Sequence, residues 1–213
     1  MTIVLRSAAL VLLAAHAAAA MASGVAVQVK DAAGKPVADV VLYAEPEGGV
    51  ALPKVLKAGE IEQRGLKFLP LVSVIQTGSK MSFPNNDKVR HHIYSFSPAK
   101  KFDQKLYSGV TAEPQVFDKA GTVVLGCNIH DRMIAYVKVV DTPYFAKTDA
   151  AGVARIELPA AGKYSIKAWH FNMVGATAEQ AVAVKPGEAP TTLAFTLTMK
   201  AAGADDPAGP GGG

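Results

Sequence analysis

The stretch GTVVLGCNIHDRMIAYVKVV, residues 121–140, reads as a strand, a short loop and a second strand. Thr122 to Gly126 is rich in strand-forming Val and Leu, and Ile134 to Val140 alternates in the manner of a half-buried strand. Between them lies Cys127-Asn-Ile-His130-Asp-Arg-Met133. The same strand and turn grammar extends outward on both sides. Upstream, Val25 to Val29 alternates, Asp31 to Pro36 forms a turn, Val40 to Tyr43 is extended, and Glu45 to Gly49 is a loop by composition. A second β region starts near Glu60, with Leu66 to Leu71, Val72 to Ile75, a turn at Thr77-Gly78-Ser79, and Met81 to Phe83. Asn85-Asn86-Asp87 breaks the pattern before the extended run His91 to Phe96, and Asp118 to Gly121 is the turn ahead of the quoted stretch. Ser97 to Pro114 is polar with little periodicity and is expected to be a loop with at most a short helical turn. Downstream, Asp149 to Gly152 and Pro159 to Gly162 are turns, and Tyr164 to His170 and Thr191 to Thr198 are strands. No amphipathic helix is evident in the mature chain, so the fold is expected to be all-β.

The chain has 213 residues, 50% of them hydrophobic, 7% aromatic and 19% charged, which suits one or two small domains with real cores. Its first 22 residues read as a signal peptide: Arg6 in the basic region, an apolar run from Ala8 to Ala15, and small residues from Ala18 to Ala22 for cleavage. No later stretch has membrane-spanning length. The net charge of +4 comes from scattered basic residues among acidic ones, with small groups at Lys100-Lys101 and Lys105, and makes no nucleic-acid footprint. A single cysteine excludes an internal disulfide, and a free thiol in an oxidising compartment calls for another role. The tail from Ala201 to Gly213 is Gly, Pro, Ala and Asp and is expected to be disordered.

Metal ligation is such a role. Cys127, His130 and Met133 bring a thiolate, an imidazole and a thioether close in sequence, and His91 and His92 stand upstream. Thiolate and imidazole hold Cu(II) in a trigonal plane and a soft thioether also suits Cu(I), so the donor mixture points to copper. A loop can wrap three donors around one ion, and a fourth must come from elsewhere. Adjacent strand residues face opposite ways, so only one of His91 and His92 can readily serve.

Residues 83–93, FPNNDKVRHHI, resemble the plastocyanin segment that leads to its first copper histidine. Gly65 to Phe68, Gly78 and Met81 resemble that family's preceding strands, Phe117 to Gly121 its turn before the cysteine strand, and the C-x₂-H-x₂-M spacing is similar to that of amicyanin. The resemblance covers residues 60–140 and implies a cupredoxin: a Greek-key β-sandwich with one type 1 copper held by His91, Cys127, His130 and Met133. Similar chains are often labelled methylamine utilisation proteins. Two departures stand out. His92 occupies a place where cupredoxins commonly have Asn, and Asp131-Arg132 replace the apolar residues usual between the second histidine and the methionine, which implies a more polar partner surface.

The flanking regions resemble a different family, the carboxypeptidase regulatory-like (transthyretin-like) β-sandwich. The likeness lies in Val25-x-Val-x-Val-x-Asp31-x-x-Gly34-x-Pro36 and, later, in Asp149-x-x-Gly152, Leu158-Pro159 and Gly162-Lys-Tyr164. It implies a second sandwich made of residues 23–50 and 141–200, split by a copper domain at 51–140. Asp31-Ala-Ala-Gly34 and Asp149-Ala-Ala-Gly152 are the same tetrapeptide, and Trp169-His170 is expected to be structural, an aromatic in the sandwich core with a polar neighbour at its edge. The expected function is single-electron transfer by Cu(II)/Cu(I) cycling between a periplasmic donor and acceptor, with no nucleic acid or membrane span involved. The resemblance supplies no acid, base or nucleophile, so no enzyme activity is expected. The alternatives are a copper-binding envelope protein for storage, delivery or sensing, and a non-redox protein- or glycan-binding module.

Overall fold

The computed structural model describes residues 24–108, 113–159, 161–185 and 188–201, and every regular element among them is a strand. The expected signal peptide and most of the expected disordered tail lie outside the described residues. The chain opens with β1 (Gly24–Asp31) and β2 (Val41–Pro46). A middle group follows: β3 (Gly59–Glu60), β4 (Glu62–Gln63), β5 (Phe68–Leu69), β6 (Val72–Gln76), β7 (Ser79–Ser82) and β8 (His91–Ser97). It continues with β9 (Lys100–Tyr107), β10 (Gln115–Phe117), β11 (Gly121–Cys127) and β12 (Ile134–Val140). The last group is β13 (Phe145–Lys147), β14 (Val153–Glu157), β15 (Gly162–Trp169), β16 (Ala178–Val184) and β17 (Thr191–Leu197).

Pairing divides the strands into two packed units. The first two strands join the last five: β1 lies between β14 and β17, and β2 lies between β13 and β15, with β16 at the far edge. Val25 thus stands opposite Ile156, and Tyr43 opposite Lys167. The strands between them form a five-stranded sheet in the order β6-β12-β11-β8-β9, faced by the smaller β10-β7-β3 sheet and the β4-β5 hairpin. The repeated tetrapeptides adopt one geometry. Asp31 Oδ1 accepts from the amides of Ala33 and Lys35, Asp149 Oδ1 accepts from those of Ala151 and Val153, and both final glycines take positive φ. Each is an Asx turn closed by a left-handed glycine, the chemistry expected of Asp-x-x-Gly.

Each unit has its own core. Val25, Val27 and Val29 of β1 pack with Leu42, Ile156, Ile166 and Phe195, while Phe83, Ile93, Phe117, Leu125 and Val137 fill the middle unit. A third cluster joins the two. Strand β2 turns Leu42 and Ala44 towards its own core and Val41 and Tyr43 towards Val72 and Val140, so both of its faces are buried. That explains the unbroken apolar run at residues 40–42. Strand β12 alternates likewise: Ala135, Val137 and Val139 point inward, and Tyr136 stacks on Phe171 at 4.5 Å between ring centroids. Lys138 Nζ lies 5.1 Å from the Trp169 ring centroid. Trp169 therefore packs in the seam between the units, which corrects its expected place in the sandwich core. The Gln76 side chain braces the two connections between units by donating to the carbonyls of Pro53 and Asp141, each at 2.9 Å.

Two further sequence expectations need correction. The polar segment after Ser97 is not a loop throughout, because Lys100–Tyr107 is a strand paired with β8. It lies at the edge of the sheet with Lys101, Asp103 and Lys105 exposed and Phe102 half-buried. Charged residues are what an unpaired edge carries to discourage pairing with other chains, and they masked the alternation. Leu66 to Leu71 is not one strand either. Gly65 and Leu66 form a turn at φ 63° and 59°, and only Phe68–Leu69 is extended.

Candidate metal centre

Two strands and one loop build the site. Along β11, Val123, Leu125 and Cys127 point inward by strand alternation, which leaves the Cys127 thiol in the core at 4% exposure. In β8, His91, Ile93 and Ser95 take the inward positions while His92, Tyr94 and Phe96 face out. Antiparallel pairing sets Cys127 opposite Ile93, two residues from His91. The loop returns tightly: the Met133 amide donates to the His130 carbonyl at 2.9 Å, and the Cys127 amide donates to the Met133 carbonyl at 3.2 Å. Asn128, Ile129, Asp131 and Arg132 are exposed, His130 is half-buried, and Met133 returns to the core at 1% exposure.

The structure brings His91, Cys127 and His130 together, with one donor atom of each within 4.8 Å of the others. Cys127 Sγ is 3.9 Å from His91 Nδ1 and 3.8 Å from His130 Nδ1. Bonds of the lengths zinc takes, about 2.3 Å to sulfur and about 2.05 Å to imidazole, set at the angles of a trigonal plane, would put sulfur and nitrogen about 3.8 Å apart. The donors already stand at that separation. The two imidazole rings meet edge to face with centroids 5.1 Å apart. Met133 shares the buried cluster that contains Cys127. His92 is excluded from the group: it lies on the outer face, hydrogen-bonded to Asp103 and set against Tyr94.

One contributor went unread in the sequence. Asp87, taken there as part of a strand break, has its carboxylate 2.7 Å from His91 Nε2. Asp87 also accepts from the backbone amides of Gly65 and Leu66. Burial works against its charge, yet the hydrogen bonds from His91 and the two amides outweigh it, and the carboxyl is held below its ordinary value. The only signal was a four-residue spacing to His91 through a loop, which carries little information alone. Neighbouring polar groups are also engaged. Asn85 Nδ2 donates to the carbonyls of Val89 and Tyr107, and Asn85 Oδ1 accepts from the Asp87 amide. Gln63 Nε2 donates to the Phe83 carbonyl and to Tyr107 Oη.

On the outer face of the sheet, Tyr94 lies across Gly126, where an added Cβ would come within 2.8 Å of the ring. The absent side chain lets Tyr94 settle beside the cysteine strand, in an open groove shared with Phe96, Val124, Asp131 and Ile134.

No protein-family model matches the chain, and no curated protein matches it. Solved structures do. A purple cupredoxin from Nitrosopumilus maritimus is 23% identical over 38% of this chain and 99% of its own, with a TM-score of 0.35. Amicyanin from Paracoccus versutus is 16% identical over 46% of this chain and 98% of its own, with a TM-score of 0.36. A Cu-containing nitrite reductase from Thermus scotoductus is 22% identical over 45% of this chain and 25% of its own, with a TM-score of 0.37. Each of these three likenesses is confined to less than half of this chain.

Proposed function

We propose that this chain is an exported, periplasmic type 1 copper protein that carries single electrons between a donor and an acceptor protein. The observation that carries the reading is the convergence of His91, Cys127 and His130, with Nδ1 of each histidine 3.8–3.9 Å from the cysteine sulfur. Met133 is proposed as the fourth donor. Copper bound there would supply a Cu(II)/Cu(I) couple. The donor set favours copper, since a thiolate, two imidazoles and a thioether suit both of its oxidation states. The expected leader at residues 1–22 is the basis for the proposed location.

The residues around the donors suit a carrier. His91 is fully buried and Cys127 nearly so, which keeps water away from the sulfur. Both sit on paired strands, so their geometry is held by the sheet whatever the charge at the site. A site that does not rearrange lowers the cost of gaining or losing an electron. His130 alone among the three is half-buried, and it offers an edge through which a partner could exchange that electron. No role as acid, base or nucleophile is proposed for any residue.

Redox titration of the copper-loaded protein tests this reading against storage or delivery. A carrier takes up one electron per copper and returns it over repeated cycles with the metal retained. Release of copper to a chelator on each reduction would favour storage or delivery and contradict the carrier.

A further inference from the structure

The β4–β5 hairpin turns through two consecutive left-handed residues, Gly65 and Leu66, while Arg64 and Lys67 exchange both backbone hydrogen bonds at 3.0 and 3.3 Å. This is a type I′ geometry, which demands positive φ at both central positions. Glycine adopts that φ freely, whereas leucine rarely does. The turn aims the amides of residues 65 and 66 at one acceptor. Gly65 N–H meets Asp87 Oδ1 at 2.6 Å, and Leu66 N–H meets Asp87 Oδ2 at 3.1 Å. The same Oδ2 takes the Nε2 hydrogen of His91 at 2.7 Å. His91 is wholly buried, and its Nδ1 faces the Cys127 sulfur.

We propose that Asp87, clamped by the Gly65-Leu66 turn, is a positioning residue that locks His91 as its Nε2–H tautomer and so presents a bare Nδ1 to the metal. The proposal rests on the reading of His91 as a ligand. A neutral imidazole carries its proton on either nitrogen, and one with Nδ1–H would turn a hydrogen, in place of a lone pair, towards Cys127. A carboxylate on the far nitrogen removes that choice, fixes the ring's rotation and makes the imidazole a stronger donor. The turn matters because Asp87 is itself held by two fixed donors. An amide could not replace it. With its oxygen towards His91 and Leu66, the Asn nitrogen would face the Gly65 N–H, donor against donor.

Long-range proton–nitrogen NMR of the metal-free protein reads the His91 tautomer directly, and copper transfer to a chelator reads its consequence. The wild type should hold the proton on Nε2. Asp87→Ala and Asp87→Asn should lose that single tautomer and weaken copper retention about 10- to 100-fold. Gly65→Val should act in the same direction from a distance. A Cβ at residue 65 meets nothing within 4 Å, so the substitution acts through the positive φ that a β-branched residue resists. Thermal unfolding of each metal-free variant confirms that the comparison is between folded proteins, and Gly65→Val serves if the Asp87 variants do not fold. An unchanged tautomer and unchanged copper retention in Asp87→Asn or Gly65→Val would overturn the proposal. If wild type takes up no copper while its His91 tautomer still depends on Asp87, the copper reading fails and the lock stands.

Discussion

The two units of this chain are built from the same material, Val- and Ala-rich strands of alternating burial, yet their interiors differ. The outer unit, strands β1–β2 and β13–β17, encloses an almost wholly apolar core from Val25 to Leu197. Thr148 is one of its few buried polar side chains, and it is fully used: its Oγ1 donates to the Val37 carbonyl and accepts from the Val40 amide. The middle unit buries Gln63, Gln76, Ser79, Asn85, His91 and Ser95, and adds the Cys127 thiol. Burying a polar group costs free energy unless hydrogen bonds compensate it, so each one demands partners that a hydrocarbon core does not need. Part of this polarity lies beside the donors, where Asn85 holds the Asp87 amide and Asp87 the His91 ring, and part serves the connections between the units, which Gln76 braces. The comparison locates chemistry by the failure of a core to be simply a core.

Replacing the thiol should separate the two interiors most sharply. Cys127→Ser is expected to abolish all thiolate-to-copper absorption while circular dichroism still reports a folded β protein, because the cores depend on many other side chains. Retention of the absorption would remove Cys127 from the site.

The paired histidines offer the next test. His91→Ala should greatly weaken copper binding and change its spectrum, whereas His92→Ala, which removes a surface partner of Asp103, should leave both near wild type. Isothermal titration with copper measures the difference, and the reverse order would shift the site's register by one residue.

In the apolar unit the expectation is inverted. Ile166 is fully buried there, so Ile166→Ala should cost about 2–5 kcal/mol of stability through lost burial and a cavity. The copper spectrum of the folded fraction should not move, since Ile166 belongs to a separate cluster from the donors. A spectral change in that variant would show that the two interiors are coupled.

How much of this was legible in the sequence depends on the range of the interactions. The strand–loop–strand at 121–140 and the Asp-Ala-Ala-Gly turns are local, and alternation and turn chemistry reveal them. That His91, rather than His92, faces Cys127 follows from strand pairing, and only a family resemblance pointed to it in advance. Strand β9 was obscured because its exposed Lys and Asp residues protect an edge and mimic a loop. Asp87 was invisible for another reason. Its role depends on Gly65 and Leu66, more than twenty residues away, meeting His91 through one carboxylate.

The smallest effect concerns Tyr107, whose phenol burial pushes up to about 12 against the hydrogen bond from Gln63. A raised value in the folded state means stability that is complete below the ordinary tyrosine range, about 10, and is lost as pH rises through about 12. Tyr107→Phe should flatten this alkaline loss, as followed by denaturant midpoints across that interval. An equally steep decline in the variant would place the titrating group elsewhere.

Whether His91, Cys127 and His130 hold copper as one site is read from the visible and paramagnetic resonance spectra of the protein with one equivalent of Cu(II). An intense thiolate-to-copper band with a resonance signature of copper bound to sulfur, saturating at one metal per chain, is expected. A colourless protein, or Cu(II) with the signature of nitrogen and oxygen ligands alone, would contradict it.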